Sequence, residues 1–224
     1  MPLVPWVKDL LFKRNGFNNR QIISAVDAND ALSLTTAIID CESMGIFSDF
    51  LANENAIGLI NSVLADERIV SLMKPNDWER LCRNSAAMHI ILAHSANINY
   101  SALSSNACAV KYLEENPNII DYNELSRNHA AMHLILARPD LINWYAFSEN
   151  ISALPFLTKD YNKYVLGHLM ANPAAMDIIT KDMSSINYEF LSKNTNAMHL
   201  LEDKFINVRN LLANSSIFSK YLTI

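Results

Sequence analysis

Apolar and polar positions along this chain recur in one short pattern. In YSALSSNACAVKYL, residues 100–113, Tyr100 and Leu103 stand three apart, one helical step on a single face. Asn106 follows, and Ala109, Val110 and Leu113 then repeat helical spacing. The Asn precedes the second apolar run, where its side-chain oxygen can accept from the N–H groups that open a helix. Asn172-Pro173 places a cap residue before a proline at the first helical position. The junctions Ile98-Asn99, Ile120-Asp121, Ile142-Asn143 and Ile186-Asn187 supply a second Asn or Asp, read as the cap of the first helix. Each unit is therefore expected to be a helix of about five to seven residues, a tight bend, and a helix of about nine to eleven. Pro117 and Pro139 fall where the second helix should stop.

The pattern begins at residues 78, 100, 122, 144, 166 and 188, each 22 after the last. A degenerate copy, VRNLLANSSIFSKY, starts at 208, and an earlier one, FSDFLANENAIGLI, at 47. The step of 31 between 47 and 78 places about nine extra residues within 61–77. Position 7 is Asn in all eight copies, from Asn53 to Asn214. Position 4 is Leu or Phe throughout, position 10 is Ala in all but the last, and position 1 is aromatic in six. A fixed period of this length predicts an all-α fold, an α-solenoid of short two-helix repeats over 47–224. The Ala column lets helices approach closely, the aromatics are expected to be wedges between layers, and the Asn can bridge neighbouring copies as a ladder. A leucine-rich repeat shares the period and the Asn. However, five residues before the Asn, where a strand needs a buried side chain, stand Glu79, Ser101, Asn123, Tyr145 and Glu189.

Residues 1–46 do not follow the pattern. The runs Ile22–Val26 and Ala31–Ile39 predict two helices about a turn at Asp27–Asp30, read as an N-terminal helical capping region. Phe218, Tyr221 and Leu222 leave the far end without a polar cap, so it is expected either to meet a partner or to fray.

Composition narrows the function classes. Half of the 224 residues are hydrophobic, which is too apolar for a disordered tail. The net charge of −5 argues against a protein whose main task is gripping nucleic-acid backbone. Three cysteines, Cys41, Cys82 and Cys108, make no disulfide framework and point to a reducing compartment. No run reaches 18 apolar residues, and the opening MPLVPWVKDLLFKR does not read as a secretory signal.

Candidate chemistry is sparse. His129 and His133 have the i, i+4 spacing of a metal pair in HAAMH, but no third ligand stands at a recognisable distance. His89, His133 and His199 share position 12 with Gly58, Lys111, Pro155, Asp177 and Ser219, a mixed column expected of a solvated face. Cys82 takes the place held elsewhere by Ser104, Ser126, Ser148 and Ser192, so it reads as a small core residue and the serines as local hydrogen-bonders in the bend. Glu114-Glu115, Asp140, Glu149 and Asp160 have no spacing that sets them apart from surface charge. The four glycines form no phosphate loop. Arg83, Arg127 and Lys193 share position 6, a positive stripe broken by Glu149 and three alanines. No catalytic, cofactor-binding or metal-binding residue is assigned, and the chain is read as a non-enzyme without cofactor.

The motif WxxLSxNxxAMxxL, followed by a loop and Ile-Asn or Ile-Asp, resembles a tandem repeat of giant DNA virus proteins. Tyr122, Leu125, Ser126, Asn128, Ala131, Met132, Ile135 and Ile142 match it in order, as do Tyr188, Leu191, Ser192, Asn194, Ala197, Met198, Leu201 and Ile206. The sequence departs from the family where the Pro after the Asn survives only at Pro173, and the second Asn-Pro clearly only at Asn116-Pro117. The resemblance implies a viral structural or interaction protein, with a minor capsid component as the setting. The expected function is thus a non-enzymatic solenoid that bridges other proteins, capsid proteins among them, in the virion or otherwise the infected-cell cytoplasm. A host-facing adaptor is the alternative. Neither a small-molecule substrate nor nucleic acid is an expected partner. Eight stacked layers at about 10 Å each would span roughly 80 Å.

Overall fold

The computed structural model describes residues 2–3, 5–14, 17–40, 44–157, 167–181, 186–201 and 208–217. Cys41, Asp160, Leu166, Ile206, Phe218, Tyr221 and Leu222 lie outside them. The fold is all-α, with no strand among the described residues. No helix of theirs is long and apolar enough to cross a membrane. The chain forms two compact units: Met1–Asn97 with Leu212–Ile224, and Ile98–Leu211. The division at residue 46 is one of sequence pattern, and 1–46 shares its compact unit with the copies at 47 and 78.

The first unit opens with α1 (Pro5–Arg14), α2 (Phe17–Ala28) and α3 (Ala31–Asp40). The last two are the helices expected from the apolar runs, and α1 is an addition that sequence pattern did not reveal. Val7 and Leu11, one turn apart, bury α1 against α2, and the Lys8 ammonium pairs with Asp27. At the turn after α2, Asn29 sits at φ 54°, a left-handed position that Asn tolerates. The Asn29 and Asp30 N–H groups donate back to Val26 and Ala25, which closes the helix end. Asp30 then caps α3 by accepting from the Ser33 N–H and hydroxyl. The copy at 47 supplies α4 (Phe47–Phe50) and α5 (Ile57–Leu64), and α3 packs on α5 and on α6 (Glu67–Leu72). The extra residues between the copies at 47 and 78 are α6 itself, capped by Asp66.

In the second unit the copy at 100 shows the local structure. Helix Tyr100–Ser104 is followed by Asn106 in extended backbone (φ −80°, ψ 120°), a 3-10 turn over Ala107–Ala109, and helix Val110–Glu115. A further 3-10 turn, Pro117–Ile119, leads to the next cap, Asp121. The expected second helix of nine to eleven residues is thus broken. Its first three residues are wound more tightly, and the break falls at Ala109 (φ −86°, ψ −5°). The cause is local. The Ala109 N–H donates to the carbonyl of Asn106, an i→i−3 bond, while the Asn106 side chain accepts from Cys108 N–H. All eight position-7 asparagines accept from the N–H two residues on, at 2.9–3.1 Å. The expected caps of the first helices are present as well, at Asn99, Asp121, Asn143 and Asn187.

The core of each unit is built from the same columns. The eight position-4 residues, Phe50 through Leu211, are fully buried, and so is the position-10 column from Ala56 to Ile217. Position 1 does not follow the expectation of wedges throughout. Phe47 and Trp78 are buried, yet Tyr100 and Trp144 are exposed, the latter at 52 %. Trp144 lies on the outer flank of its short helix, edge-on to Phe147 at 5.6 Å, where it covers the apolar column without entering it.

Candidate functional site

The polar side chains form a buried ladder and a partly buried charged face. In the ladder, Asn128 Nδ2 donates to the carbonyls of Ser104 and Asn106, at 3.0 and 2.8 Å. Asn172 does the same to Ser148 and Asn150, and Asn194 to Met170 and Asn172. Asn150 donates to Ser126. One side chain thus caps its own turn with Oδ1 and ties its copy to positions 5 and 7 of the neighbouring copy with Nδ2. Every one of these asparagines is at least 97 % buried, so each bond is made out of reach of water.

The first unit carries the same ladder in an order that the sequence does not follow. Asn84 donates to Leu51 and Asn53, as expected of successive copies. Asn53 in turn donates to Leu212 and Asn214, at 3.1 and 3.0 Å, so the last copy packs against the first. The carbonyls of Leu212 and Asn214 are thereby covered by this chain, whereas Phe218, Tyr221 and Leu222, at which a partner or fraying was expected, lie outside the described residues.

The serines do more than bond locally. Ser104 Oγ donates to the Tyr100 carbonyl and accepts from Asp121 N–H, 17 residues on. Ser126 does the same between Tyr122 and Asn143. Position 5 therefore fixes where the next cap sits. In the copy at 166, where Met170 replaces the serine, its sulfur takes the N–H of Asn187 at 3.0 Å.

The charged face is formed by positions 3 and 6 of the short first helices, one helical step apart. Glu149 is its centre, with only 11 % of its side chain exposed. His168 Nδ1 lies 2.7 Å from Glu149 Oε1, Arg127 Nε 3.6 Å from Oε2, and Lys193 Nζ 3.9 Å from Oε1. Arg127 also pairs with Glu124 at 3.0 Å. The His168 ring packs between Tyr145 and Phe190, with centroids at 5.4 and 4.3 Å, and Lys193 stands over the Phe190 ring. Lys193 and Glu149 belong to copies two apart, so side chains on this face converge. In the first unit, position 3 pairs in the same way: Arg80 meets Asp49 at 3.2 Å and donates to Ser48, whose hydroxyl donates to the buried Asp77.

This arrangement can hold charges in place, but it presents neither a nucleophile nor a surplus of one sign. The Arg127 and Lys193 stripe seen in the sequence is neutralised by Glu149, which the sequence had placed among undistinguished surface charges. The signals that could have found the face were the i, i+3 pair Glu124–Arg127 and the change of sign along position 6.

The remaining candidates disperse. His133 Nε2 donates to Glu114 at 2.7 Å, and both are exposed. His89 donates likewise to Asn61, which makes position 12 an inter-copy contact on the surface. His129 lies exposed in a 3-10 turn. No group of three or more His, Cys, Asp or Glu able to hold a metal occurs among the described residues. Cys82 is fully buried and Cys108 exposed. Two shallow grooves lie in the first unit. One, of about 710 Å³, runs between α3, α5 and α6. Beside it Arg68 holds the Asp66 carboxyl below its usual range by hydrogen bonding. Comparison with protein-family models, with curated proteins and with solved structures finds no match to this chain.

Proposed function

We propose that this chain is a non-enzymatic α-solenoid of short two-helix copies that binds and bridges other proteins. Its setting is the virion of a giant DNA virus, as a minor capsid or virion-associated component related to that tandem-repeat family. The observation that carries the reading is the asparagine ladder. The invariant polar residue of the array is consumed in stacking, and the charges of positions 3 and 6 are answered by one another, so the repeat is spent on architecture. A stacked array of this kind offers extended surfaces with little sequence demand on their exposed positions.

The test is quantitative mass spectrometry of purified particles and of infected-cell cytoplasm, followed by affinity capture from disrupted particles. The reading expects the chain to be enriched in particles and to co-purify with capsid proteins. Absence from particles, with a cytoplasmic host protein captured instead, would replace it with the adaptor role.

A further inference from the structure

The hydrogen bonds between the last copy and the first use no group that is unique to either. Asn53 donates to the carbonyls of Leu212 and Asn214 at 3.1 and 3.0 Å, and Asn84 donates to those of Leu51 and Asn53 at 2.9 and 3.1 Å. Both pairs of acceptors are positions 5 and 7 of a copy. The donor is in each case the position-7 amide, the side chain that all eight copies share. In the second case the copies are consecutive in the chain. In the first, 159 and 161 residues separate the partners. The two faces that meet are different, one offering carbonyls and the other an amide. Such a contact is heterologous and can be satisfied equally by another molecule.

We propose that the amide face of the copy at 47 is a self-association site, occupied in trans by the copy at 208–217 of a second chain. The exchange links molecules head to tail. It preserves the number and kind of hydrogen bonds at each junction, since Asn53 meets the same two carbonyls whichever chain supplies them. Protein concentration then decides between the two forms. The tethered copy competes at an effective concentration on the order of millimolar, and trans occupancy grows as the protein approaches that value or is refolded near it. The inference rests on the packing of the first unit and does not depend on the virion reading.

Cysteine trapping tests it. Ser85 Oγ donates to the Glu54 carboxylate, so the position-8 side chains of these two copies meet. Position 8 of the last copy is Ser215. Two full-length chains are made with Cys41 and Cys108 replaced by Ser, one carrying Glu54→Cys and the other Ser215→Cys. They are refolded together from about 1 µM to about 1 mM and treated with a short bismaleimide. A 54–215 inter-chain product rising at least tenfold over that range, with oligomers seen by light scattering, is the expected result. Two controls fix its meaning. A chain carrying both substitutions should cross-link within itself when dilute, and Ser85→Cys mixed with Glu54→Cys should give no inter-chain product. A protein that stays monomeric throughout, without the 54–215 inter-chain product, would overturn the proposal. So would a doubly substituted chain that fails to close on itself, or equal inter-chain yield from the Ser85→Cys mixture.

Discussion

Replacing Asn128 by Ala removes one side chain and three hydrogen bonds. Lost are the donations to Ser104 and Asn106 and the cap accepted from Ala130 N–H at 3.1 Å. The consequences differ among the three partners. The Asn106 carbonyl also accepts from Ala109 N–H, so it keeps a partner. Ser104 O and Ala130 N–H lose theirs, Ser104 in a residue with no solvent exposure. Each buried hydrogen bond contributes about 1 kcal/mol net, and stranding a buried group costs about 1–3 kcal/mol more. Loss of the cap alone costs about 1 kcal/mol. Together the substitution should destabilise the second unit by about 3–5 kcal/mol, a large share of the roughly 5–15 kcal/mol of a typical domain. In urea titrations followed by circular dichroism, this corresponds to a midpoint lower by roughly 1–2 M. Asn123→Ala, on the exposed side of the same copy, should change stability by less than about 0.5 kcal/mol. Asn128→Asp is the sharper test, because it keeps the cap acceptor and the shape but turns the donor into a carboxylate facing two carbonyls. Burial and those carbonyls raise the pKa of the new acid above its unfolded value. Its proton is therefore held in the folded state. The variant should be least impaired below about pH 4 and should lose stability as the pH rises through the raised folded value. A loss under about 1 kcal/mol for Asn128→Ala, or no pH dependence for Asn128→Asp relative to the wild type, would refute the ladder as the source of cohesion.

Three further outcomes follow from the same structure. Ala109→Leu, at the fully buried last position of the turn, should cost about 1–3 kcal/mol by overpacking, whereas Ala107→Leu, at the half-buried first position of the same turn, should cost less, as thermal unfolding will show. Glu149→Gln leaves Arg127, Lys193 and His168 without their shared carboxylate and should cost about 1–2 kcal/mol, a loss reduced in high salt because charge repulsion is then screened. Asp30 is held below the usual carboxylate range by the Ser33 hydroxyl first and the Ser33 N–H second. A depressed folded pKa means that the cap on α3 contributes above the unfolded value and fades as pH falls through the folded one, so an NMR titration of Asp30 should give a midpoint below that of a free aspartate.

Much of this protein was legible from residue types at fixed spacing, because the interactions concerned are local. A cap is a bond between a side chain and the backbone two or three residues away, so the Asn column and the second set of Asn and Asp caps could be read directly. Helical spacing likewise marked Leu103, Leu125 and Leu191 as core, and the apolar runs marked α2 and α3. The break within the second helix was less accessible. It depends on the Asn carbonyl capturing the N–H three residues on, a choice between two hydrogen bonds of similar strength that composition does not decide. The aromatics misled because position 1 looks the same whether its flank is covered, as at Phe47 and Trp78, or open, as at Tyr100 and Trp144.

What the amino-acid order determined by itself is the unit: its length, its two caps, its small and large core positions, and its need for neighbours. Which neighbour each copy has was decided only in three dimensions. The groups that join residues 53, 212 and 214 are an asparagine amide and main-chain carbonyls, which every copy has, and so they do not name the partner. The meeting of the last copy with the first, like the convergence of Arg127, His168 and Lys193 on Glu149, follows from how copies accumulate through space. A repeated interface specifies its partner by geometry, because the asparagine that makes it is the same at every rung.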